Sequence, residues 1–257
     1  MKTTEIISDN HVEVYNYFGN EKMHTFIPWF AEKLVTKFID PTVYADDAID
    51  FITKSYESNT PIIIASNHVR YHDQNVALAA FSKIPELNAH TLGNTFILGK
   101  SPYFKHPLSR YYHQYANVAP VFRPEDIEKE LSDTDKRTRL LRASESMFNM
   151  SVKRLNRGEN LLIFPEGTRN RNDWRKNMDI KAAIGNIASK GWEYGMHFGI
   201  LPVGIAYENK NLRSLKNPVV YFGQPILPRD DKPRRVAVTL ADAMQECTDT
   251  AYELLEA

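Results

Sequence analysis

The run Ile62-Ile63-Ile64-Ala65, entered through Pro61 and left through Ser66, has no polar position at either phase of a two-residue repeat. A strand built from it must be covered on both faces, which is the situation of a parallel sheet with helices on each side. Further apolar stretches at 96–98, 118–122, 160–164, 200–206 and 219–222 read as strands. Between them lie segments with helical patterning at 45–57, 74–82, 102–115, 125–158, 178–190 and 233–256. The segment 125–158 opens acidic and closes on Arg157-Gly158, the order that suits a helix dipole and a glycine stop. Strands alternating with helices predict an α/β fold, a mostly parallel mixed sheet flanked by helices on both faces.

The first 57 residues read differently. The polar opening to about Asn20 carries no clear pattern and is expected to be loosely ordered. Residues 23–39 place Ile27, Phe30, Leu34 and Phe38 at helical spacing, with Trp29 and Lys33 nearby and Pro28 starting or kinking the helix. Such a stripe either packs on the protein's own core or lies on a lipid surface, and the pattern alone does not separate the two. The expected organisation is an N-terminal helical segment over 1–57, with a capacity for membrane-surface binding, followed by a catalytic domain over 58–257. No composition break divides the chain further.

Charge narrows the partners. The 257 residues carry 32 basic and 32 acidic side chains. That balance gives no support for nucleic-acid binding, which rests on a basic excess. A local basic pocket for one phosphate is still compatible with it. The lone cysteine, Cys247, falls on the apolar stripe of 233–256 and reads as a small core residue. No apolar run approaches bilayer-spanning length, and the N-terminus lacks the apolar core of a signal peptide. The expectation is a cytoplasmic protein that meets the inner face of a membrane peripherally, if at all.

Two polar segments follow apolar strands, where α/β sheets build their sites. The first is Asn67-His68-Val69-Arg70-Tyr71-His72-Asp73. An imidazole can take a proton from an alcohol near neutral pH, and a carboxylate a short turn away can orient the ring. His68 is the candidate base and Asp73 its partner. Asn67, or backbone N–H groups beside it, can serve a developing oxyanion. The second segment is Phe164-Pro165-Glu166-Gly167-Thr168-Arg169-Asn170-Arg171. Gly167 allows a close backbone turn, Arg169 and Arg171 present forks suited to phosphate, and Glu166 can accept from a polyol hydroxyl. Arg70, Tyr71 and His72 are read as facing solvent. A competing reading joins His68, His72 and Asp73, with Glu166 or His113, in a metal-dependent hydrolase.

Taken together, NHVRYHD and FPEGTRNR resemble the NHxxxxD and FPEGTR motifs of the glycerolipid acyltransferase family, the glycerol-3-phosphate and 1-acylglycerol-3-phosphate O-acyltransferases. Asn67, His68 and Asp73 fill the first motif, and Phe164 through Asn170 fill the other without a gap. Asn117-Val118-Ala119-Pro120-Val121-Phe122-Arg123 matches a looser intermediate motif in its proline, valine and closing arginine. Leu201-Pro202-Val203 and Gly223-Gln224-Pro225-Ile226 resemble two later family segments, and Lys181 is similar to a lysine that follows FPEGTR.

The resemblance implies an acyltransferase of phospholipid synthesis. It would pass a fatty acyl group from a thioester of coenzyme A or acyl carrier protein to a hydroxyl of 1-acylglycerol 3-phosphate, with no metal and no other cofactor. Glycerol 3-phosphate or another lipid acceptor is the alternative, and a non-catalytic lipid-binding protein is a weaker one. The implied roles are His68 and Asp73 in catalysis, and Asn67, Arg123, Glu166, Gly167, Thr168, Arg169 and Arg171 around the substrates.

Overall fold

The structure, a computed structural model, describes residues 8–123, 132–170, 172–208, 217–228 and 232–257. Its sheet has seven strands among these residues: β1 Thr42–Tyr44, β2 Ile62–Ser66, β3 Thr95–Lys100, β4 Val118–Val121, β5 Asn160–Ile163, β6 Gly199–Ala206 and β7 Val219–Phe222. Their order is β1-β7-β6-β2-β5-β3-β4. All neighbours are parallel except β6 and β7. The chain is a single α/β domain.

Strand β2 lies in the middle, between β6 and β5, and every one of its residues is buried. Alternation sends Ile62 and Ile64 into one core, with Val76, Ala80 and Phe222, and Ile63 and Ala65 into the other, with Leu155, Ile187 and Leu240. Burying each isoleucine is worth about 1.5–3 kcal/mol, so this strand is a main anchor of the fold. Two asparagines lock its register. At its start, Asn160 Oδ1 accepts the Ile62 N–H at 2.8 Å, while Asn160 Nδ2 donates to the His90 carbonyl at 2.8 Å. At its end, Asn67 exchanges bonds with both backbone groups of Ile205 on β6, at 2.8 and 3.0 Å.

One face of the sheet is covered by α2 Phe26–Val35, α3 Ile49–Glu57, α4 Asp73–Phe81 and α5 Pro85–Thr91, with α2 packed on α4 and α3 on α5. The other is covered by α7 Asp133–Leu155, α8 Ala183–Glu193 and α9 Pro233–Glu256. Helix α1, His11–Asn20, packs on α7. Helix α6, Pro107–Tyr115, follows a 3-10 turn at Ser101–Phe104. Gly204 permits a close approach of α9 to the sheet, since a Cβ there would fall 2.1 Å from the Cys247 carbonyl oxygen. Cys247 itself is buried, as its place on the stripe predicts.

Several elements differ from the sequence reading. From residue 8 to Asn20 the opening is packed, not loose: Val14, Tyr15 and Phe18 are buried against Ala143, Met147 and Met150 of α7, while residues 1–7 lie outside the described residues. The segment 1–57 is not purely helical, because β1 pairs with β7 as a strand of the sheet. Helix α5 lies where the sequence pattern predicts no element. The expected helix 102–115 is broken at Pro107, which starts α6 as a first-turn proline. Helix α8 begins five residues later than expected and runs past Gly191, whose missing Cβ makes room for the Phe198 ring. Residues 125–131 of the expected helix 125–158 lie outside the described residues. In the described residues the helix begins at Asp133, eight residues later than expected, behind an extended Ser132 whose side chain accepts the Asp135 N–H, and beyond its end Gly158 adopts φ +81°.

Candidate active site

Because β2 and β5 are adjacent and parallel, with Ile63 beside Leu161 and Ala65 beside Ile163, the segments leaving their C-terminal ends emerge side by side. These are the two polar segments singled out above. Three contacts join them. The His68 backbone N–H donates to Glu166 Oε1 at 2.7 Å, and the Asn170 N–H donates to the His68 carbonyl at 2.8 Å. The His68 ring also stacks on Phe164, with centroids 4.4 Å apart.

Asp73 opens α4 and is wholly buried. The chain from 67 to 72 curls around its carboxylate. Asp73 Oδ2 accepts the backbone N–H groups of Val69 at 2.6 Å and Arg70 at 2.8 Å. The same oxygen lies 2.9 Å from His68 Nδ1. With Nδ1 turned to the carboxylate, Nε2 is the imidazole nitrogen left for a substrate hydroxyl. On the far side, Tyr207, the residue after β6, donates its phenol to Asp73 Oδ1 at 2.5 Å.

Arg70 departs from expectation. It is not on the surface but fully buried, with its guanidinium carbon 3.8 Å from the Tyr207 ring centroid and 5.0 Å from that of Trp174. Burial lowers its pKa, and the charge of Asp73 partly restores it. A buried aspartate needs such a cation near it. Tyr71, by contrast, is exposed as expected, and Arg169 lies over its ring at 5.6 Å.

Glu166 and Asn67 also take parts other than those expected. Glu166 is buried, and its second oxygen accepts the Met178 N–H at 3.0 Å. Both oxygens thus hold backbone, so its reach toward a substrate hydroxyl is limited. Burial pushes its carboxyl up to about 7, against the pull of the two N–H groups, with the charge of Asp73 adding to the rise. The Asn67 side chain is committed to β6, which leaves backbone N–H groups as the oxyanion donors to consider. Gly167 adopts φ +69°, a conformation costly for any residue with a Cβ, and so turns the loop over the cleft.

His68, Tyr71, Arg123, Glu166, Gly167, Thr168 and Arg169 border one cavity of about 780 Å³. Ile97 and Leu98 of β3, Val118 and Val121 of β4, and Leu140 and Met147 of α7 give it an apolar wall. Arg171 lies outside the described residues. Lys181 borders the cavity, as its position after FPEGTR suggests, and so do Lys100, Tyr103 and Gln74, which the sequence did not single out. Tyr207 is a further residue that the sequence did not single out. It follows an apolar strand with no motif around it, and only the fold brings it to Asp73. Among the described residues, no three His, Cys, Asp or Glu side chains are grouped to hold a metal.

A half-buried histidine held by a buried aspartate thus stands at the C-terminal edge of the parallel strands and opens on a cavity bordered by cationic and apolar side chains. The family model described as Acyltransferase matches residues 48–206, more than half of the chain and inclusive of both loops. The chain belongs to the acyltransferase family and is an acyltransferase. The crystal structure of the 1-acyl-sn-glycerophosphate (LPA) acyltransferase PlsC from Thermotoga maritima is similar in fold, with a TM-score of 0.55 and 18% identity over 90% of this chain and 78% of that one. A comparison with curated proteins yields no match.

Proposed function

We propose that the protein transfers a fatty acyl group from a thioester of coenzyme A or acyl carrier protein to the free hydroxyl of 1-acylglycerol 3-phosphate. One observation carries this reading: His68, held by Asp73, borders the same cavity as Arg123, Arg169 and Lys181 and the apolar residues of β3, β4 and α7. Such a cavity suits a ligand with a phosphate at one part and a hydrocarbon at another, and its volume lies in the usual range for small-ligand sites, about 300–1,000 Å³. The likeness to a solved lysophosphatidate acyltransferase agrees with it.

In this mechanism, His68 Nε2 takes the proton of the acceptor hydroxyl as its oxygen attacks the thioester carbonyl. Backbone N–H groups at the cleft stabilise the tetrahedral oxyanion. The C–S bond then breaks, and the imidazolium returns its proton to the departing sulfur. The products are an ester and a free thiol, with no acyl-enzyme and no metal. Asp73 holds the ring in the tautomer that presents Nε2. Arg169 and Arg123 bind the acceptor's phosphate as planar donors.

The acceptor is a lipid, and α2 offers a way to reach it. Phe26, Trp29, Phe30 and Leu34 of α2, and Phe38 just beyond it, are all exposed, with Lys33 and Lys37 among them. The apolar side of this helix thus points outward, and Val35 is the residue that packs against the core. Aromatic and cationic residues together suit the interface of an anionic bilayer, with the protein peripheral on the cytoplasmic side. No described helix is long and apolar enough to cross a membrane.

The test is thiol release with one long-chain acyl-CoA and one acyl carrier protein thioester against a panel of acceptors. Turnover with 1-acylglycerol 3-phosphate well above that with glycerol 3-phosphate is expected. A preference for glycerol 3-phosphate moves the assignment to the first acylation. Activity abolished by chelators and independent of thioester moves it to a metal-dependent hydrolase.

A further inference from the structure

The buried wall behind the His–Asp pair holds a group that acyl transfer does not itself demand. Tyr207 stands at the end of β6 with its hydroxyl on Asp73 Oδ1, while Oδ2 serves His68 and the amides of Val69 and Arg70. Its ring is fixed on two sides, by the Arg70 guanidinium at 3.8 Å and by Trp174 at 6.4 Å in an edge-on contact. We infer that Tyr207 is a positioning residue: by donating to Asp73 it limits the negative charge that this carboxylate presents to His68, and so sets how tightly the imidazole holds its proton. This rests on the reading of His68 as the base.

The physical chain is short. A donor on Oδ1 stabilises the Asp73 anion and draws charge away from Oδ2. A carboxylate so stabilised supports the imidazolium less, and the ring gives up its proton more readily. Tyr207 remains a donor throughout, because burial first, and the charge of Asp73 next, push its phenol far above its ordinary range. Other groups bear on the same carboxylate. Arg70 faces it from the loop after β2, Tyr252 acts on it from α9, and Glu166 from the loop after β5. His72 turns instead toward Tyr71 and Asn75. These groups are unchanged when Tyr207 loses only its hydroxyl. Tyr207 falls one residue past the span matched by the family model.

The experiment follows the His68 imidazole by NMR across pH in the unliganded protein, with the His68→Gln variant assigning its signals. In Tyr207→Phe the titration midpoint is expected to rise by about half a pH unit or more, and the acid limb of kcat/KM to move with it. An unchanged midpoint in folded Tyr207→Phe overturns the inference, and reduced turnover with that unchanged midpoint assigns Tyr207 a purely structural part. Should Tyr207→Phe not fold, 3-fluorotyrosine placed at 207 keeps the shape and strengthens the donor. The midpoint then falls, and an unmoved one overturns the inference. Because the NMR titration needs no substrate, its outcome is independent of whether the proposed acceptor is correct.

Discussion

The backbone N–H of His68 donates to Oε1 of Glu166 at 2.7 Å, so the loop that carries the candidate base is held by the carboxylate of the other loop. Glu166 completes the clamp by accepting from Met178, which ties in the chain leading to α8. A residue that reads from sequence as a substrate ligand is, in the folded protein, the fastening between the two halves of the cleft.

We predict a pH signature for this clamp. The Glu166 carboxyl, raised by burial from 4.5 to about 7, contributes stability that is fully present below pH 4.5 and is lost as pH rises through 7. The loss approaches about 3 kcal/mol at most, the equivalent of the whole shift. Glu166→Gln has no such titration. Chemical denaturation of both proteins between pH 5 and 8 should show the wild type losing stability relative to the variant as pH rises. Parallel curves would show that Glu166 does not titrate in that window.

Much of this arrangement is legible in the chain. The two-sided apolar run 62–65 identifies a central strand, and the polar segments after 66 and 163 identify the site, because strand ends and motif residues are local signals. Long-range commitments are not. Asn67 reads as an oxyanion donor until β6 is seen to take both ends of its amide. Arg70 reads as solvated until Tyr207 and Trp174 are seen to enclose it. Short elements hide for a different reason. Strand β1 has three residues, too few to show a period, and the apolar positions of α1 make one short stripe among polar neighbours.

Arg169 gives a second prediction. It borders the cavity with its guanidinium beside the Tyr71 ring. Arg169→Ala removes a charge-assisted bond, worth about 1.5–3 kcal/mol, and should raise KM for a phosphorylated acceptor roughly tenfold or more, with KM for the thioester little changed. Steady-state kinetics with each substrate varied in turn reads this directly. An acceptor KM equal to wild type takes Arg169 out of the phosphate site.

The outward face of α2 gives a third. Replacing Trp29 and Phe30 by serine removes two exposed aromatic rings and no buried contact of the core. Sedimentation with anionic phospholipid vesicles should fall several-fold, while the melting temperature and turnover on a short-chain, soluble acceptor stay near wild type. A loss of stability comparable to the loss of vesicle binding would mean that this face packs against protein.

The core of the proposal is that His68, oriented by Asp73 at 2.9 Å, takes the acceptor's proton. The most direct measurement is thiol release from a long-chain acyl thioester in the presence of 1-acylglycerol 3-phosphate, by wild type and by His68→Ala of matched stability. Wild type should turn over, and the variant should lose about 10²–10⁴-fold in kcat with a similar KM. A folded His68→Ala variant that keeps near wild-type turnover would contradict it.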